Sequence, residues 1–271
     1  MPELPEVETT RRGIAPHICG QRIAGLIVRQ PRLRWPVPEQ LTRQIKGARI
    51  TRLWRRGKYL LIATDGGTLI IHLGMSGSLR IIKDDTAPGV HDHIDLLLEN
   101  GGRLRFRDPR RFGAWLWTEQ PPETHPLLNE LGPEPLSSAF NTEYFHRLSR
   151  GRKLAIKSLL MNSHAVAGVG NIYANEALFL AGIHPTRAAG RISQARYEKL
   201  VVALKRVLNE SILQGGTTLR DFTSGEGKPG YFQQSLSVYA KPGQPCPICS
   251  TPIRETRTAQ RSTFYCPHCQ R

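Results

Sequence analysis

Short runs of apolar residues, broken by polar ones, fill the chain from about residue 21 to 117. The runs are RIAGLIV, ARITRLW, KYLLIAT, TLIIHL, SLRII, HIDLLL, RLRFRD and AWLW. Gly, Asp and Asn punctuate them, as in TDGGT and ENGGR. Strand-length runs at this spacing predict an antiparallel sandwich or barrel. Ahead of them, residues 3–14 read as one helix, with Leu4, Val7, Arg11 and Ile14 roughly on one face.

The period changes after QPPETHPLLNELGPEPL, a proline-rich boundary near residues 121–136. NTEYFHRLSR starts at a good N-cap, Asn141, and LAIKSLLMN is helical. NIYANEALFLAG is helical too and closes on Gly182. SQARYEKLVVALKRVLNESILQGG has Ser193 as cap and Leu200, Leu204, Val207, Leu208 and Ile212 as a buried stripe, ending at Gly215 and Gly216. Residues 217–235, rich in glycine, read as loop. The pattern therefore predicts an α+β multidomain chain: a β-sandwich domain with a flanking helix over 1–130, a helical domain over 137–227, and a cysteine-bearing segment over 237–271.

Charge adds a partner. There are 38 Lys+Arg against 22 Asp+Glu, a net charge of +16 with pI near 10.2. A chain this basic most often meets a polyanion, and nucleic acid is the first candidate. Arg outnumbers Lys, which suits forked contacts to phosphate. No apolar stretch approaches the roughly 18 residues that span a membrane. No basic segment leads into an apolar run at the N-terminus, so a soluble, cytoplasmic protein is expected.

Cysteine spacing adds a metal. Cys19 stands alone, and the other four crowd into the last 26 residues as Cys246-Pro-Ile-Cys249 and Cys266-Pro-His-Cys269. Each CxxC brings two thiolates to one side of a tight turn, and two facing turns place four sulfurs in a tetrahedron that suits Zn²⁺. With every corner filled by sulfur, one structural zinc is expected; two disulfides are the other reading of the same spacing. The knuckles pin a β-hairpin carrying Arg254, Arg257 and Arg261, a basic ribbon suited to phosphate.

Other motifs are two-sided. Gly168 and Gly170 precede a helix starting at Asn171, which suits an anion at the helix N-terminus or a plain helix–helix turn. RDPRRFG places Arg110 and Phe112 on a loop tip, as a wedge for a base step or as a buried hairpin end. Met75, in the Gly-flanked turn HLGMSG, fits core or surface, and Lys58 in RRGKYL alone reads as a surface lysine. MPELPEVETT puts Pro2 directly after the first Met, with three acids, Glu3, Glu6 and Glu8, close by.

Together these segments resemble the bacterial formamidopyrimidine-DNA glycosylases. The resemblance runs the whole length, through PELPEVET, RRGKYL, HLGMSG, RDPRRFG, GVGNIYANEALF and AQRSTFYCPHCQ in order. It implies a β-sandwich, a helix–two-turn–helix domain and a zinc finger that together bind double-stranded damaged DNA as a monomer. It implies removal of the initiator Met, leaving Pro2 as the amine nucleophile with Glu3 as its acid–base partner. Lys58 then assists β-elimination and Arg261 grips the lesion phosphates and assists δ-elimination. Asn171, His91, Arg110 and Arg152 correspond to DNA-contacting positions, and His72 and Lys157 to phosphate contacts. Met75, Arg110 and Phe112 match the residues that fill the hole left by an extruded base. Residues 217–231 match a lid over that base. The sister enzyme endonuclease VIII, which prefers oxidised pyrimidines, is the nearest rival. A non-catalytic zinc-ribbon nucleic-acid-binding protein is the rival from another class.

Overall fold

The computed structural model describes residues 2–84, 86–216 and 236–271. The expected loop over 217–235, the lid over 217–231 and a domain boundary at 227 lie outside the described residues. The chain divides into two compact units, one of residues 2–129 with 214–216, the other of 130–213 with 236–271.

The first unit opens with α1 (Leu4–Ile18), followed by β1 (Ile23–Val28), a short α2 (Leu41–Ile45), and then β2 (Ile50–Arg56), β3 (Tyr59–Thr64), β4 (Thr68–His72), β5 (Ser78–Ile82), β6 (Asp92–Leu98), β7 (Arg103–Arg107) and β8 (Ala114–Thr118). Each strand expected from the sequence is present. They form two antiparallel four-stranded sheets, in the orders β1-β6-β7-β5 and β2-β3-β4-β8. Ile62, Ile71, Leu96, Leu104, Phe106 and Trp115 share one buried core with Val7, Ile14 and Ile18 of α1. Each such side chain stabilises the fold by roughly 1.5–3 kcal/mol through removal from water, so the core fixes α1, and with it the chain's first residues, on the sandwich.

Helix α1 runs past the expected end at residue 14 and contains Pro16. A proline interrupts a helix by removing one N–H, but here only the last turn is affected. Ile14 and Ile18 are both fully buried, and that packing carries the helix through.

The second unit holds α3 (Thr142–Ser149), α4 (Ile156–Leu160), α5 (Asn171–Leu180), α6 (Gln194–Leu213) and the hairpin β9 (Arg254–Thr258) and β10 (Arg261–Tyr265). Asn141 caps α3, its side-chain oxygen accepting from the Tyr144 N–H at 2.9 Å. Phe140, Phe145 and Tyr197 pack ring to ring between α3 and α6. The hairpin shares a core with α5: Phe179 packs with Val238, Cys246, Ile253, Phe264 and Cys266. Glu176 of α5 ties down the chain leading into the hairpin. Its carboxylate accepts the backbone N–H groups of Ser237, Val238 and Tyr239 at 2.7, 2.9 and 2.8 Å. The cysteine-bearing segment thus belongs to the same compact unit as the helices.

Candidate active site

In the first unit the chain start is built into the fold. Pro2 and Glu3 are both buried. Glu3 is the N-cap of α1, and the cap is reciprocal: its side chain accepts the Glu6 N–H, while Glu6 Oε2 accepts the Glu3 N–H at 2.9 Å. Such a box satisfies two helix-end donors at once and fixes the angle at which the chain enters the helix. Gly216, at φ +82°, lies so close that a Cβ there would meet Glu6 Oε1 at 3.2 Å. Pro2 therefore stands at the positive end of a 15-residue helix.

Glu8, one turn on, serves structure. Burial would raise its carboxyl, but hydrogen bonds from Arg11 and Arg12, with the charges of Arg11 and Arg55, outweigh that and hold it below the usual range.

Lys58 sits at the β2–β3 turn, which Gly57 makes with a positive φ of 57°. Across the sheet, Tyr59 pairs with His72, and their rings are 4.8 Å apart. Burial first, then the cations of Lys58 and Arg34, pull the His72 imidazole down to about 4. His72 Nδ1 accepts the Gly74 N–H at 2.9 Å. The neutral ring must then carry its proton on Nε2, as a donor.

Met75 and Phe112 are among the exposed large hydrophobics, at 38% and 40%. Arg110 lies over the Phe112 ring at 5.0 Å, and Arg111 holds a positive φ of 57°. Gly74 explains how close their two loops run: a Cβ there would meet the Phe112 carbonyl carbon at 2.4 Å. The buried-Phe reading of RDPRRFG is excluded, because Phe112 projects from the surface beside Met75's turn. His91 is partly exposed just before β6, and its carbonyl accepts the Asp108 N–H at 3.0 Å.

In the second unit, Arg261 is exposed at the first position of β10. The two-residue turn before it, Ala259-Gln260, has positive φ at both positions, the geometry that matches strand twist in tight hairpins. Neither residue is glycine, so the turn is held by its surroundings. One of these holds is Lys157. Its side chain is 1% exposed, and Nζ donates to Ser262 O at 2.8 Å and Thr263 Oγ1 at 2.7 Å. The expected phosphate contact thus points inward onto β10, which the sequence did not reveal because the partners lie 105 and 106 residues away. Asn171 Nδ2 also donates to Ser262 O, at 3.0 Å, and Asn175 Oδ1 accepts the Phe264 N–H at 2.8 Å. Asn171 is the first residue of α5, after Gly168 at φ +83°. Arg152 is exposed after α3, with Nε on Leu148 O at 2.7 Å.

The ligand atoms of Cys246, Cys249, Cys266 and Cys269 lie within 4.8 Å of one another. The nearest sulfur pair is 3.3 Å apart, far beyond the ~2.05 Å of a disulfide. Backbone N–H groups of Ile248 and Cys269 point at Cys246 Sγ and Cys266 Sγ, at 3.5 and 3.4 Å, as donors to thiolates. The donor set fits one tetrahedral, structural Zn²⁺, with no corner left for a reacting ligand.

Three contributors were not singled out from sequence. Glu6 is one of three acids near the chain start, and its spacing from Glu3 is that of a capping box. Asp108 reads in sequence only as a turn residue before Pro109 although it is fully buried, and Glu176 carries no signal beyond its type.

These features define a strongly basic protein with a proline buried at position 2 and a zinc-finger cysteine cluster, the combination of a zinc-finger protein suited to nucleic acid. Comparison with known proteins agrees over the whole length. Residues 1–115 match the formamidopyrimidine-DNA glycosylase N-terminal domain, 131–223 the formamidopyrimidine-DNA glycosylase H2TH domain, and 243–271 the zinc finger found in FPG and IleRS. The formamidopyrimidine-DNA glycosylase of Methylococcus capsulatus is 62% identical over 271 residues, covering 100% of each chain. A Lactococcus lactis FPG variant solved with Fapy-dG-containing DNA superposes with TM-score 0.91 at 35% identity over 100% of each chain. MutM in complex with carbocyclic 8-oxo-G-containing DNA does so with TM-score 0.90 at 36% identity, again over 100% of each chain. The chain belongs to the formamidopyrimidine-DNA glycosylase family, enzymes with glycosylase and AP lyase activity.

Proposed function

We propose that this chain excises oxidised purines, 8-oxoguanine and formamidopyrimidines, from duplex DNA and then cleaves the abasic strand. The observation that carries the reading is the chain end. Pro2 is buried and locked by the reciprocal Glu3–Glu6 cap at a helix N-terminus, where chain ends are ordinarily loose. With Met1 removed, Pro2 bears a secondary amine. A free α-amine titrates near ~8, so a usable fraction is neutral at pH 7.

The neutral amine attacks C1′ of the damaged nucleotide, the base leaves with the electrons of the glycosidic bond, and the proton that the amine sheds on bonding neutralises the departing base. Glu3 supplies the proton that opens the sugar ring. Because the amine is secondary, the resulting iminium has no N–H to lose and keeps its positive charge. It acidifies the C2′ proton, whose loss breaks the bond to the 3′ phosphate. A second elimination breaks the 5′ side and leaves a one-nucleotide gap. Lys58 assists the first elimination and Arg261 the second. Asn171, Arg152, His91 and His72 hold backbone phosphates, His72 as a neutral Nε2–H donor. Met75, Arg110 and Phe112 enter the duplex where the base leaves, offsetting the few kcal/mol of unstacking. Lys157 acts on DNA only through β10, by holding the strand that carries Arg261. Zinc keeps that hairpin folded.

A glycosylase assay tests the reading with 8-oxoguanine opposite cytosine against thymine glycol. Cleavage of the first is expected. Strong cleavage of thymine glycol with none of 8-oxoguanine identifies an endonuclease VIII-like enzyme instead.

A further inference from the structure

The exposed trio of Met75, Arg110 and Phe112 comes from two loops that are distant in sequence, the turn after β4 and the loop between β7 and β8. What joins them is Asp108. Its side chain is 0% exposed. Oδ1 accepts the Ser76 hydroxyl at 2.8 Å, and Oδ2 accepts the Gly113 N–H at 2.8 Å. One carboxylate thus bonds the residue after Met75 and the residue after Phe112. Ser76 Oγ in turn accepts the Arg110 N–H at 3.2 Å, so the hydroxyl bridges both loops.

The Asp108 backbone is held as firmly. Its carbonyl accepts the Arg111 N–H at 3.2 Å and the His93 Nε2–H at 2.8 Å, and its N–H donates to His91 O at 3.0 Å. His93 is itself buried, at 6% exposure. Space is closed as well as polar valence. A Cβ on Gly113 would meet His72 O at 2.8 Å and Phe106 Cζ at 2.5 Å, and one on Gly77 would meet Leu73 O at 2.1 Å. A loop that gains order only on binding loses free energy in doing so. Here the side chains reach solvent while the backbone beneath them is already fixed.

We infer that Asp108, acting through Ser76 and Gly113, is a positioning residue that pre-assembles the Met75–Arg110–Phe112 wedge before DNA arrives. The inference rests on the wedge role proposed above for those three side chains. Asp108 is fully buried and acts through Ser76 and Gly113 rather than on the nucleotide. Its contribution is confined to steps that need the wedge: opening the base step and reading the base left behind. Chemistry on a site that already lacks its base draws less on the wedge, because no base must be unstacked.

The test compares Asp108→Asn and Ser76→Ala with the parent, using the full chain with zinc bound. Ser76→Ala removes only the bridging hydroxyl and keeps Asp108 on Gly113, so it guards against a fold failure in Asp108→Asn. Three readouts are taken: single-turnover excision of 8-oxoguanine opposite cytosine, the same opposite adenine, and strand cleavage at a preformed abasic site. Loss of a buried hydrogen-bond link corresponds to roughly tenfold. Excision opposite cytosine should therefore fall about tenfold in Asp108→Asn and about threefold or more in Ser76→Ala. The preference for cytosine over adenine should shrink, and abasic-site cleavage should change less than about twofold. A parallel fall in all three activities, or excision and base preference unchanged in both variants, overturns the inference. A parent protein that excises no oxidised purine overturns instead the function on which it rests.

Discussion

Replacing Lys157 by Met separates two ways in which a lysine serves a DNA-binding protein. The sequence places it among phosphate contacts; the structure turns it inward, 1% exposed, with Nζ on Ser262 O and Thr263 Oγ1. Methionine keeps the unbranched stem and its packing but deletes the cation. Two hydrogen bonds from a charged donor are worth about 1.5–3 kcal/mol each. The desolvation penalty of the ammonium offsets part of that. Ser262 O also retains its bond from Asn171. The net loss is then about 2 kcal/mol, which lowers Tm by roughly 4–8 °C in a chain of this size. A buried strut neutralises no phosphate. The slope of log K against log salt should therefore stay as in the parent, whereas loss of a phosphate contact lowers it by about 0.9. Thermal melting and salt titration on abasic-site DNA give both numbers. An unchanged Tm with a slope reduced by one contact refutes the reasoning.

Glu6→Ala removes the capping bond to the buried Glu3 N–H and loosens the segment carrying Pro2, so excision should slow by about tenfold or more with DNA affinity nearly retained. Glu6→Gln, which keeps an acceptor, should lose much less, and equal activity of both variants and the parent contradicts the role. His72 is depressed to about 4 on folding, so the unfolded chain binds the extra proton between pH 4 and 6.5. Its contribution is present above pH 6.5 and is lost as pH falls toward 4. His72→Gln should flatten this acid loss by about 2 kcal/mol in denaturant melts, and an identical pH profile in the variant counts against the assignment. Cys266→Ser, or zinc removal by a chelator, should unfold the hairpin and abolish DNA binding while the first unit keeps its β signal in circular dichroism. Retained binding without zinc contradicts a structural role for the metal.

The strands were legible because each sheet has an apolar inner face, and that pattern appears residue by residue, as in KYLLIAT over β3. The zinc site was legible because ligand spacing is local: each knuckle needs only four residues. The length of α1 was less so, since Pro16 argues for a stop while the burial of Ile18 that overrides it depends on the sandwich. Least legible were the residues that hold the site in place. The partners of Lys157, Asp108 and Glu176 leave no trace in the local sequence, since they lie 61–106 residues away for the lysine and Glu176, and 32 away for the Asp108–Ser76 bond. Composition records a charge; only the tertiary fold decides whether it meets water, phosphate or a backbone amide.

The central claim is that the chain end is the nucleophile. The measurement that tests it most directly is borohydride trapping on 8-oxoguanine DNA, followed by mass mapping of the covalent adduct. An adduct on a peptide beginning at Pro2 is expected, and none from protein that retains Met1. An adduct mapped to Lys58 or another side chain, or efficient excision by protein with Met1 still attached, contradicts it.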